Sequence, residues 1–228
     1  ENEIIKTIKS GYSYNTSPTI KIIPGNIENE KQSLLQIRTG RQVLEDASGK
    51  PIPKMLFSEI WHEGEMCILF ADTNVGKSIL AVQIANSISK GETIRNFILE
   101  AKKQPVFYVD FELGEKQFQN RYSQNYKNDY LFDNNFMRIN IDPNFELENA
   151  INKYDCKILI VDNITFLNME STETAKDALP LMRKLLKLKN KFGLSMLILA
   201  HTPKVDTSKP IIVNYLAGSK HLANFADS

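Results

Sequence analysis

Cysteine is scarce in this chain of 228 residues: there are two, Cys67 and Cys156, each inside an apolar run. A disulfide framework is therefore excluded, and the expectation is a pair of buried, reduced thiols in a cytoplasmic protein. Long hydrophobic runs are missing too. None approaches the ~20 apolar residues that span a bilayer, and the opening ENEIIKTIKSGYSYN lacks the layout of a signal peptide. Charge of one sign is also absent, since 28 Lys and Arg against 27 Asp and Glu leave a net charge of +1. No chain-wide basic field marks a nucleic acid or membrane partner, so any polyanion contact must be local. Histidine is rare, and no Cys/His spacing suggests zinc, nor any arrangement a Ser–His–Asp hydrolase. The chain also lacks an initiator Met and stops in mid-motif at Asp227–Ser228, as expected of a fragment.

What is present suits one α/β domain with an extension. Hydrophobic residues make up 42% of the chain, enough for a sizeable core. Residues 1–54 read as an N-terminal extension and linker. Residues 1–29 are polar and turn-rich, 30–46 carry Leu34, Leu35, Ile37, Val43 and Leu44 at loosely helical spacing with Gly40 interrupting, and 47–54 (ASGKPIPK) are punctuated by proline and glycine. Residues 55–228 read as the main domain, truncated at its C-terminal side.

In that domain apolar runs alternate with helical patterns. MCILF at 66–70, PVFYVD at 105–110, KILIVD at 157–162 and LSMLILA at 194–200 read as strands, with a shorter one at 136–141. Helices are predicted at 78–89 and around 115–126. Another carries Leu181, Leu185, Leu188 and Phe192, with Pro180 in its first turn and Gly193 as its C-terminal cap. The alternation predicts a mainly parallel sheet with helices on both faces, and ligands in such sheets bind beyond the carboxyl ends of the strands.

The chemistry-bearing residues stand at those ends. The first strand runs into Ala71, Asp72, Thr73, Asn74, Val75, Gly76, Lys77 and Ser78. Phosphate binding needs inward-turned backbone N–H groups, a helix N-terminus aimed at the anion, one long cation and a hydroxyl on the Mg²⁺ side. Gly76, Lys77 and Ser78 supply these, although Ala71 replaces the glycine that opens the consensus. A lone G-K-S tripeptide is a weak signal, but the strand before it and the apolar-faced helix after it give the required context. The next strand ends in Asp110-Phe111-Glu112, which by itself fits two solvated acids as well as a carboxylate that activates water. Four apolar residues closing on Asp162, followed by Asn163, fit a carboxylate that holds Mg²⁺. His201 ends the last strand, where a phosphate-sensing role becomes plausible beside the other three.

In this order ADTNVGKS, YVDFELG, ILIVDN, LILAHTPK and LAGSKHLANFADS resemble the RecA-like P-loop ATPases, an AAA-type ATPase domain family, and in particular the RepA/DnaB-type helicase branch. The resemblance covers about residues 55–228. It implies the RecA-like P-loop NTPase fold, with ATP and Mg²⁺ as cofactors, Ser78 and Asp162 on the metal, Glu112 as catalytic glutamate and His201 near the γ-phosphate. It places a sensor strand between the Walker A and Walker B strands, and implies a homo-oligomeric ring, for which the helicase branch offers the hexamer, acting on single-stranded DNA. Residues 165–178 and 203–213 match its DNA-facing segments. The first includes the net acidic MESTETAKDA and the second is only mildly basic, so charge does not support DNA contact. Arg121, Arg138 and Arg183 are available as basic residues, but none is assignable as an arginine finger. The alternatives are an ATP-dependent switch or assembly factor without translocation, a small-molecule kinase, and a structural domain with a degenerate loop.

Overall fold

The computed structural model describes residues 37–125, 127, 130–140, 147–164, 175–202, 212 and 223–227, and for 175–181 the backbone alone. The chain divides into two units, Glu1–Lys50 and Pro51–Ser228.

In the first unit, α1 spans Gly40–Ser48. Thr39 caps it: its hydroxyl accepts from the Gln42 amide at 3.2 Å, while the Gln42 side chain accepts from the Thr39 amide at 2.8 Å. Gly40 therefore opens the helix rather than interrupting it. The helix continues through Ser48, two residues into the stretch predicted as linker. Ile37 and Leu44 are exposed.

The second unit begins with a small antiparallel pair, β1 (Met55–Phe57) and β2 (Trp61–His62). Among the described residues a five-stranded sheet follows, formed by β3 (Met66–Ala71), β4 (Val106–Asp110), β5 (Phe136–Ile139), β6 (Ile158–Asp162) and β7 (Ser195–His201). Its order is β3-β7-β6-β4-β5, and every pairing is parallel. The strand bearing His201 thus lies between the phosphate-loop strand and the Asp162 strand, as the resemblance implied. The fold is the expected RecA-like P-loop α/β architecture.

Side chains alternate across the strands, which splits the core into two layers. On one face Tyr108, Ile160, Leu197 and Leu199 pack with α2 (Lys77–Lys90), which inserts Ala81, Val82, Ile84, Ala85 and Ile88 beside Trp61. On the other, Phe107, Val109, Leu159, Val161, Met196 and Ile198 meet α4 (Leu147–Tyr154) through Ile151, and α5 (Ala175–Phe192) through Met182 and Leu185. Full burial of side chains of this size contributes about 1.5–3 kcal/mol each, so both helices are held firmly. Both cysteines are buried, and neither is in a disulfide.

Three predicted boundaries shift. Helix α3 spans Glu115–Arg121 and stops at Tyr122, whose ring packs against Phe118, Tyr130 and Phe132, while Asn125 adopts a left-handed backbone. Strand β5 ends at Ile139, short of 141. Helix α5 starts at Ala175, so Pro180 lies in its second turn. Residues 175–178, the end of the first stretch matched to a DNA-facing segment, are helical. A proline there removes one N–H while the buried stripe downstream keeps the helix docked. Gly193 does follow the helix at φ 64°. The predicted tail 1–29, the rest of 165–178, and 203–213 apart from Ile212 lie outside the described residues.

Candidate functional site

Strand parity brings the site together. Ala71 pairs with His201 across β3 and β7, and Asp110 pairs with Asp162 across β4 and β6. Each stands an even number of positions from residues that face α2, so all four end on the α2 side at the carboxyl edge of the sheet.

The loop from β3 into α2 is built for inward-turned amides. Asn74 and Gly76 both take positive φ, 63° and 97°. Gly76 is the residue before α2, and at that φ any side chain would be strained. Ala71 is still within β3 and has no positive φ, so the departure from glycine costs nothing there. Lys77 is buried, with its Nζ donating to the carbonyls of Ala71 at 2.9 Å and Asp72 at 2.6 Å. Burial pushes its ammonium below the ordinary value, opposed by the negative charges of Glu112, Asp162 and Asp72. Lys77, Ser78, Thr73, Asn74 and Gly76 line one cavity of 350 Å³ together with Glu112, Arg121 and His201.

Asp162 is 3% exposed, and its carboxylate accepts from two hydroxyls. One is Tyr108, whose OH reaches Oδ2 at 2.5 Å; the other is Ser78. Desolvation raises the Asp162 carboxyl, the two hydrogen bonds oppose this, and the charges of Glu112 and Asp110 push it further up. The Tyr108 hydroxyl is itself driven far above its usual range, first by burial and then by the Asp162 charge.

Glu112 and His201 are tied by a residue that sequence reasoning noted but gave no role. The Asn163 amide Nδ2 donates to Glu112 Oε1 and lies 2.6 Å from His201 Nε2. His201 Nε2 is also 3.2 Å from the same Glu112 oxygen. This nitrogen either accepts from Asn163 or donates to Glu112, according to the tautomer. His201 Nδ1 is buried and has no hydrogen-bond partner among the described residues.

Asp110 is occupied otherwise. It accepts from the amides of Glu112 (2.9 Å) and Leu113 (3.0 Å), and Arg138 pairs with its second oxygen at 2.9 Å. Arg138 also donates to the Leu113 carbonyl and covers the Phe118 ring at 4.6 Å. It is an internal brace rather than a free basic residue. Arg183 is exposed on α5.

Tyr108, Asn163, Arg138 and Arg121 are the parts sequence reasoning missed or left without a place. The one available signal was parity: Tyr108 lies two residues before a strand-end acid and so shares its face. A larger cavity of 730 Å³, lined by Met137, Ile139, Ala150 and Tyr154 among others, opens beside β5 and α4 and contains none of the strand-end set.

The residues fit a magnesium nucleotide. Mg²⁺ keeps several waters and takes one or two protein oxygens besides the phosphates, so a hydroxyl and a carboxylate in contact, Ser78 and Asp162, are a suitable donor pair. Among the described residues no group of three or more His, Cys, Asp or Glu could hold a metal without such help, nor is any helix long and apolar enough to cross a membrane.

Comparison with known proteins places this geometry in context. Residues 32–207 match a protein family described as AAA domain. No curated protein matches the chain. Among solved structures, a KaiC-like protein from the hyperthermophilic archaeon Pyrococcus horikoshii OT3 is similar at 15% identity, over 75% of this chain and 72% of that one, with a TM-score of 0.48.

Proposed function

The chain belongs to the AAA domain family of ATPases, and from that premise we propose that it binds ATP with Mg²⁺ and hydrolyses it in the cavity between the loop before α2 and the ends of β4, β6 and β7. The observation that carries this reading is the convergence of Lys77, Ser78, Glu112 and His201 on one cavity, with Ser78 bonded to the buried Asp162. The amides of residues 72–76, the start of α2 and Lys77 hold the phosphates. Ser78 and Asp162 hold the metal, which when bound supplies charge neutralisation to the triphosphate. Glu112 orients the attacking water and takes its proton. His201 senses the terminal phosphate, and Asn163 joins the two.

The work done with this energy is motion on single-stranded DNA in replication, mobilisation or repair, by a homo-oligomeric ring. Motif order supports this part, while the net acidic stretch MESTETAKDA favours the second reading, an ATP-dependent switch or assembly factor. Two measurements test the pair. ATP with Mg²⁺ should raise the unfolding midpoint, and Lys77→Ala should abolish the rise; a Lys77→Ala protein with normal binding and turnover refutes the nucleotide site. Phosphate release should then increase with single-stranded DNA, with binding that falls steeply as salt rises. Turnover indifferent to DNA selects the switch.

A further inference from the structure

Tyr108 stands where phenylalanine would serve the packing equally well. Its ring is 1% exposed, stacks on Phe136 at 5.7 Å and lies with Ile160, Leu197 and Leu199 in the core layer that faces α2. Strand β4 is paired on both sides, by β5 and β6, so the ring is held in place from the backbone as well. A buried phenol costs desolvation unless its hydroxyl finds a partner. This one donates to Asp162 Oδ2 at 2.5 Å. The donor arrives from inside the core, whereas Ser78 reaches the same carboxylate from the start of α2.

The consequence falls on the choice of metal. A carboxylate chelates a cation only when both of its oxygens are open to it. Oδ2 of Asp162 is already engaged by a donor that cannot withdraw, which leaves the carboxylate to act through its other oxygen. Magnesium tolerates this, because it keeps several waters and takes one or two protein oxygens besides the phosphates. Calcium takes about six to eight oxygens and gains from carboxylates that give both of theirs. Among the described residues no group of three or more His, Cys, Asp or Glu stands ready to make up that number. Removing the hydroxyl would free Oδ2 and leave the ring's packing in place.

We propose that Tyr108 is a positioning residue for Asp162 which, by holding Oδ2, sets the preference of the nucleotide site for Mg²⁺ over Ca²⁺. The inference rests on the nucleotide reading above. Its test is the affinity of the β,γ-imido analogue of ATP with saturating Mg²⁺ or Ca²⁺, measured by titration calorimetry on the wild type, Tyr108→Phe and Ile160→Val. The last variant thins the same core layer without touching the carboxylate, and so shows what a loss of stability does by itself. The wild type should bind the analogue more tightly with Mg²⁺. Tyr108→Phe should shrink the ratio of the two affinities by about tenfold, the size of one hydrogen bond to a charged group. The change should come from tighter binding with Ca²⁺, with Mg²⁺-dependent binding kept within about threefold. Ile160→Val should lower the unfolding midpoint and keep the wild-type ratio. An unchanged ratio in Tyr108→Phe overturns the proposal, and so does an equal loss with both metals, which would leave the hydroxyl a role in stability alone. The same shift of ratio in Ile160→Val overturns it too. Failure of the wild type to bind the analogue with either metal would remove the underlying reading as well, and is distinguished because no variant is needed to see it.

Discussion

Asp110 and Asp162 stand opposite one another on neighbouring parallel strands, each closing an apolar run, yet they are put to different uses. Asp110 is saturated: two backbone amides and the Arg138 guanidinium take its oxygens, so it locks the turn into α3. Asp162 meets two neutral hydroxyls, and desolvation leaves its negative charge in want of a cation. The same residue type at the same height of the sheet is a brace in one strand and a candidate metal ligand in the next. What separates them is whether a cationic side chain pairs directly with the carboxylate: Arg138 comes from the far side of β4 and pairs with Asp110, while Lys77 acts on Asp162 only through its charge. A strand-end carboxylate is thus a ligand candidate when its neighbours leave its charge uncompensated.

The largest test concerns the carboxylates left uncompensated. Asp162→Asn and Glu112→Gln should each reduce ATP turnover by about 10³-fold, read as phosphate release, with the unfolding midpoint retained. In Asp162→Asn it should be retained or raised, because the fold already disfavours that charge. Normal turnover in Asp162→Asn would erase the distinction from Asp110. Next in size, Asp110→Ala should destabilise the protein by about 3 kcal/mol in urea unfolding, since it leaves the largely buried Arg138 guanidinium without its carboxylate. Folded protein should still bind ATP. Loss of nucleotide affinity without loss of stability would reverse the two roles.

A smaller effect sharpens the assignment of Tyr108. Tyr108→Phe should cost about 1–2 kcal/mol by leaving the buried Asp162 one donor short, and a double-mutant cycle should couple it to Asp162→Asn by about 1 kcal/mol. No coupling to Asp110→Asn is expected. The smallest effects are pH-linked and of opposite sign. Burial pulls the Asp227 carboxyl up, but hydrogen bonds from Lys189 and the Met66 amide outweigh it and hold it below 3.8. Its contribution to stability is therefore full above 3.8 and lost as pH falls through its folded value, and Asp227→Asn should flatten that loss. Asp162, raised above 3.8, contributes the other way: its contribution is present below 3.8 and fades as pH rises towards its folded value. Stability of the nucleotide-free protein followed by urea unfolding from pH 2 to 6 should show the slope change in opposite directions in Asp227→Asn and Asp162→Asn.

Much of this was readable along the chain. The strands, α2 and the phosphate loop are local objects: a run of apolar residues buried on both faces, then Gly76, Lys77 and Ser78 within a single turn. The boundaries that moved did so for contacts between distant segments. Tyr122 ended α3 by packing on Tyr130 and Phe132, and the docking of Met182 and Leu185 carried α5 past the position that proline preference suggested.

By itself, then, the sequence determined the order of strands and helices, the phosphate loop, and the four residues delivered to strand ends, because each depends on neighbours a few positions away. Only the tertiary structure decided which carboxylate remains available to a cation. Tyr108 reaches Asp162 across 54 positions, Arg138 reaches Asp110 across 28, and Asn163 reaches Glu112 across 51. Those distances close only when parallel pairing sets strands side by side in a fixed register, and electrostatic roles follow from that proximity rather than from residue type.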